Sequence, residues 1–212
     1  MLQTVQDLFT LIATGSGIYI AVAGLNAWRR ETTGKRDIEL CQNVIERFYE
    51  AEHKMNVLRS PMSYSQEGES RAKAENESEE EKNRRDTLFV PLARLNQQSE
   101  FWSDFFSYKF RMRALFGADA VAAFDKADEA HRSFRAAAIV RYQSLFHNPA
   151  GLGSESRMNF EKTIWGSSGK TDEIAEQMRS AIRDMEAICV PIVRSTRPSI
   201  RNWWKALSRR DR

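Results

Sequence analysis

Apolar residues are laid along this chain in two ways. From Leu8 to Trp28 they run nearly unbroken, LFTLIATGSGIYIAVAGLNAW, with no charge between Asp7 and Arg29. Beyond that run they return every three or four positions, the spacing of a helix that buries one face. As a helix rising about 1.5 Å per residue, the first run spans about 31 Å, close to the ~30 Å of a bilayer's hydrocarbon core. It predicts a transmembrane helix with Trp28 at the boundary, where an amphipathic ring is favoured.

The rest predicts a helical bundle. Ile38, Cys41, Ile45, Phe48, Glu52 and Met55 mark a first helix ending near Ser60-Pro61. Ser65 to Arg85 has no apolar face and predicts a linker or a solvated helix extension. Leu88, Leu92, Leu95, Trp102, Phe105, Phe106, Met112 and Phe116 give a second helix, Thr87 to Phe116, with Pro91 in its first turn or kinking it. Asp119 is the expected cap of a third helix carrying Val121, Phe124, His131, Phe134, Ala138, Tyr142 and Leu145. Only Gly117-Ala118 separates these two, so they should pack as an antiparallel hairpin. An irregular stretch, His147 to Lys170, leads to a last helix capped by Thr171 or Asp172. Its expected seam is Ile174, Met178, Ala181, Met185, Ile188 and Ile192, before Pro198.

No alternating stretch is long enough for a strand, so the expected class is all-α. The expected order is an anchor over 1–28, an antiparallel up-down four-helix bundle over 29–198 with long linkers at about 61–86 and 147–171, and an amphipathic tail over 199–212.

Charge adds an orientation. Lys and Arg total 32 against 29 Asp and Glu, too even a balance to call for nucleic acid by itself. Their placement is uneven: Asp7 precedes the apolar run, whereas Arg29, Arg30, Lys35 and Arg36 follow it. The positive-inside rule then sets the amino terminus outside and the remainder in the cytoplasm, at the inner membrane. Two other readings compete. One is a cleaved signal peptide at Ala21-Val22-Ala23, although no positive charge precedes the run; the other is a buried helix of a soluble protein. Ala13, Gly17 and Ala21 form a small-residue stripe, read either as the ordinary small-residue content of a membrane helix or as a face through which two copies associate.

The carboxyl end carries the other membrane signal. Ile200, Trp203, Trp204 and Leu207 share one helical face, with Arg201, Lys205, Arg209 and Arg210 around it. Such a basic, tryptophan-bearing helix suits the anionic lipid of the inner leaflet, to which an up-down bundle would return it. Packing of the tryptophans on the bundle, or nucleic acid on the same patch, are the alternatives. Cys41 and Cys189 occupy apolar helical positions and read as small core residues of a reducing compartment.

Three constellations bear on chemistry. Gly166-Ser-Ser-Gly169-Lys170-Thr171 resembles the end of a phosphate loop, but Ile164 stands where the first glycine belongs. Glu50-x-x-His53 and Asp128-x-x-His131 approximate the spacing of bundle di-iron sites. The apolar seam turns Glu50 and His53 sideways, so His53 is expected at the surface and His131 as a core histidine. No catalytic set emerges; neither enzyme activity, metal nor cofactor is expected. The expectation is an adaptor presenting its bundle to a cytoplasmic protein; the alternatives are a lipid-surface or membrane-remodelling protein acting through the anchor and basic tail and, behind it, a di-iron or nucleotide-dependent bundle enzyme. The second linker holds Met158, Phe160, Ile164 and Trp165, apolar for a loop. Those residues are the candidate contact with that partner, or else fold back onto the core.

Gly24-Leu-Asn-Ala-Trp28-Arg-Arg-Glu31, then Gly34-Lys35, Tyr49 and Arg59-Ser-Pro61, resemble uncharacterised bacterial single-span membrane-anchored helical proteins. In those, an amino-terminal span runs into a Trp-Arg junction and a Gly-Lys turn before a helical region. The resemblance covers about a fifth of the chain. It implies a membrane-proximal helical protein and carries no assigned activity.

Overall fold

A computed structural model describes residues 2–64, 66–148, 150–166 and 172–195; the side chains of 2–14, Ile18, Ala27, Arg30 and Ser195 lie outside the description. The described residues form six α-helices and one 3-10 turn. These are α1 (Leu2–Leu58), the turn Glu67–Ser70, α2 (Glu79–Gln97), α3 (Ser99–Phe116), α4 (Ala118–His147), α5 (Ser154–Trp165) and α6 (Glu173–Ser195). The chain divides into two units, residues 1–43 with 192–212, and Val44–Pro191.

In the first unit, α1 runs unbroken through the expected boundary after Trp28 and through Gly34-Lys35, where a turn was anticipated. Lys35 and Glu31, one turn apart, pair at 2.7 Å. Nothing lies within 4 Å of a Cβ placed on Gly34, so no packing demand bends the helix there. Among the described residues no helix is long and apolar enough to cross a membrane. The side chains of residues 8–14, the first part of the Leu8–Trp28 run, lie outside that description, as does Ala13 of the small-residue stripe. The basic tail, with Trp203, Trp204, Arg201 and Lys205, also lies outside it.

The second unit is a bundle around three phenylalanines from three helices. Phe48 of α1 meets Phe105 of α3 at 5.0 Å and Phe124 of α4 at 4.9 Å, both edge-on, and Phe105 and Phe124 are 5.3 Å apart. Edge contacts of this kind add about 0.5–1.5 kcal/mol per pair to the burial of the rings. The helices alternate in direction. Phe48 lies against Phe105 while Lys54 lies over Phe101, so α1 and α3 are antiparallel. Trp102 meets His131 while Phe105 meets Phe124, so α3 and α4 are antiparallel, the expected hairpin. Tyr49 bonds Glu186 while Arg59 bonds Asp172, reversing α6 against α1.

Several element boundaries differ from the sequence pattern. The expected second helix is two, parted at Gln98, where Ser99 Oγ donates back to the Asn96 carbonyl at 2.8 Å. A serine bonding its local backbone competes with the helical ladder. Pro91 lies inside α2 rather than at the break. Gly117, not Asp119, stands at the start of α4, with φ 77° and ψ −153°. Asp172 is the working cap of α6: its Oδ1 accepts from the Ala175 N–H at 3.2 Å. In α1 the buried seam runs through Cys41, Val44, Phe48, Ala51, Met55 and Leu58, so Ile45 and Glu52 are displaced to its edge. In α6 it runs through Ile174, Met178, Ala181, Met185 and Cys189, leaving Ile188 and Ile192 half-buried. Both cysteines are core residues, as expected, and Cys189 Sγ lies 3.6 Å from Met185 Sδ.

Both expected linkers carry structure. Within 61–86, Ser78 and Glu81 close a capping box that starts α2, satisfying two orphan amides reciprocally. Ahead of it Arg71 is buried against two carboxylates, Glu77 at 2.5 Å and Asp86 at 2.5 Å. Gly68 abuts the backbone of α2 so closely that a Cβ there would lie 2.0 Å from the Asp86 carbonyl oxygen. The second linker contains α5, which packs on α4.

Candidate functional site

Arginines fasten the end of the bundle where α1 stops. A helix leaves its last carbonyls unpaired and its carboxyl end partly negative, a natural seat for a guanidinium. Arg94 of α2 donates to the carbonyls of Val57 (3.3 Å), Ser60 (2.6 Å) and Met62 (2.5 Å), and pairs with Glu67 at 2.6 Å. Arg59 donates to the Thr163 carbonyl of α5 at 3.1 Å and pairs with the α6 cap Asp172 at 2.8 Å. Arg84 closes the end of α4 through Leu145 (2.5 Å) and Phe146 (3.2 Å). Arg141 is held by Glu161 at 2.7 Å, the carboxylate that also accepts the Trp165 indole N–H at 2.5 Å. Glu77, gripped by Arg71 and then Arg85, has its carboxyl held down to about 2. Most of this hydrogen-bonding capacity is committed to structure, although Arg85 Nε and Arg141 Nη1 are buried without a hydrogen-bond partner among the described residues.

The uncommitted chemistry lies in a groove of about 630 Å³ between α2–α3 and α4. Its apolar lining is Phe89, Leu92, Leu95, Trp102, Phe106 and Ile139, and its polar rim includes Asp128, His131, Arg132 and Arg135. Trp102 and His131 arise about equally far on either side of Gly117, so the hairpin register brings them together. Their ring centroids are 4.4 Å apart and tilted by 32°. Phe106 lies 6.0 Å from the imidazole on the same side.

Desolvation among these rings pushes the imidazole down to about 4, opposed by the charge of Asp128 and helped by that of Arg135. His131 is therefore neutral near pH 7, with one nitrogen donating and the other accepting. Asp128 is engaged by Arg132 at 3.1 Å. Arg135 is exposed and makes no ion pair among the described residues. In the groove lining the buried Trp102 indole N–H has no acceptor among them. Buried orphans of this kind are few in native proteins and each asks for a cause.

The residues singled out in the sequence fall in several places. Trp28 is 62 % exposed and Arg29 is exposed; the Arg30 side chain lies outside the described residues. Ile164 is fully buried, so it is a core residue of α5 and offers nothing to a partner. Phe160 is half-buried and lines a separate cleft of about 510 Å³ between α4, α5 and α6. Trp165 is half-buried beneath Arg141. Met158 is exposed.

His53 is exposed and Glu50 pairs with Arg47 at 2.9 Å, on a different helix from Asp128 and His131. Among the described residues no three His, Cys, Asp or Glu side chains converge as metal ligands. Of the phosphate-loop-like segment Gly166–Thr171 only Gly166 is described, with φ 81°; residues 167–171 lie outside the described residues. No protein-family model matches the chain, and no curated protein or solved structure is detectably similar to it.

Proposed function

We propose that this protein is a membrane-anchored, non-enzymatic adaptor. In this reading residues 8–28 enter the bilayer with the amino terminus outside, and the bundle meets a cytoplasmic protein partner. The observation that carries the reading is the exposure of Tyr19 (76 %), Ile20 (68 %), Val22, Leu25 and Trp28 around the turns of one helix. A helix apolar on every side has no face suited to water and calls for lipid or protein cover. The chain supplies the arginine flank that would stop it, at Arg29 and Arg30. On the bundle, the exposed Met158 and the half-buried Phe160 of α5 are the remaining candidates for the partner contact.

The test is fractionation of the full-length chain beside one beginning at Glu31, with alkaline carbonate extraction of the membranes. The full chain should resist extraction and the shortened one should not. Residual, salt-sensitive membrane binding by the shortened chain would add the basic tail as a second, electrostatic contact with anionic lipid. A full-length chain recovered in the soluble fraction overturns the anchor and leaves Leu8–Trp28 as a helix covered by protein.

A further inference from the structure

We infer that the groove between α2–α3 and α4 is a binding site for a small amphipathic carboxylate, an apolar chain ended by a single anionic head. The inference is independent of whether the amino-terminal helix enters a bilayer. Three observations select this ligand. The lining offers the chain an apolar surface, Phe89, Leu92, Leu95, Trp102, Phe106 and Ile139, and the volume of about 630 Å³ falls within the range of small-molecule sites.

The rim sets the sign of the head. Asp128 and Arg132 neutralise each other at 3.1 Å, whereas Arg135 keeps an uncompensated positive charge among the described residues. A guanidinium matches a carboxylate with two parallel hydrogen bonds. A cationic amphiphile would meet Arg135 unfavourably and find its only acid already engaged. Lastly, the buried indole N–H of Trp102, a residue of the groove lining, has no acceptor among the described residues. The indole N–H is a donor awaiting an oxygen, and the half-exposed His131 imidazole lies against the same indole, ring centroids 4.4 Å apart.

Photolabelling of the full-length protein in cell lysate tests the site with a decanoate bearing a mid-chain diazirine, followed by purification and mass mapping of the label. The expected label falls on α2 and α4 near Phe89, Leu92 and Ile139. Excess decanoate competes, whereas decyltrimethylammonium does not. Arg135→Glu should cut labelling about tenfold, as the loss of a charge-assisted contact implies, while Arg135→Lys retains most of it. Leu92→Trp, which fills the groove without touching the charge, should abolish labelling; unchanged circular dichroism and melting would show that each variant folds. Label spread over the chain, equal competition by the ammonium compound, or full labelling of a folded Arg135→Glu variant would each overturn the inference. So would displacement of the label by an acidic peptide but not by decanoate, which would make the groove a protein contact.

Discussion

At Gly117 the chain turns between α3 and α4 with φ 77° and ψ −153°, a conformation that side chains beyond glycine rarely adopt. No packing atom lies within 4 Å of a Cβ added there, so the whole penalty of substitution is torsional. Gly117→Ala should lower stability by about 1–3 kcal/mol, measurable as a drop in the urea midpoint at unchanged slope. His131 makes a prediction of a different kind. Its imidazole is held down to about 4 in the folded protein, chiefly by desolvation, against an ordinary value of 6.5. Between those values the unfolded chain binds a proton that the folded chain refuses, so stability falls as pH drops from 6.5 towards 4 and is level above 6.5. Melting temperatures across that window should show this slope, and His131→Leu should flatten it.

Among the elements, the loops at the end of α1 depend on guanidinium groups more than on apolar contact. Arg94 alone joins the carbonyls of Val57, Ser60 and Met62 to Glu67, linking the end of α1 and the 3-10 turn to α2. Arg94→Met keeps the aliphatic stem and strands those acceptors; it should cost about 1–3 kcal/mol and increase amide exchange over residues 57–64. Lysine at 94 should restore little, because an ammonium cannot span the same fork of acceptors.

This order was partly legible beforehand. Ser78-Glu-Glu-Glu81 is a capping-box sequence, yet no apolar run follows it at once, so the segment reads as a linker. Gly68 gives no such sign, since what forbids a side chain there is the backbone of α2, supplied only by tertiary packing.

Across the whole molecule, the helical class and the hairpin about Gly117 follow from the spacing of apolar residues, and the core trio Phe48, Phe105 and Phe124 lies on the faces that spacing picks out. The precise seams did not follow. Small residues such as Val44, Ala51, Ala123 and Ala127 are buried because helices approach closely over them, a demand that hydropathy does not register. The groove was legible in pieces only: Trp102 and His131 each stood on an apolar face, and the hairpin register was the step that joins them. The α1 boundary was hidden because charge and apolarity change after Trp28 while the backbone continues as helix.

The arginine-to-carbonyl fastening has one more consequence. A guanidinium keeps its proton far above the pH at which lysines and tyrosines lose theirs, and a peptide carbonyl has no proton to lose. Joints built from that pair are insensitive to alkali, whereas those that rely on Asp172, Glu67 or Glu77 fail first in acid. The end of the bundle fastened by Arg94 and Arg84 should therefore survive a carbonate wash folded, so protein released by that wash would report a missing anchor rather than a denatured domain.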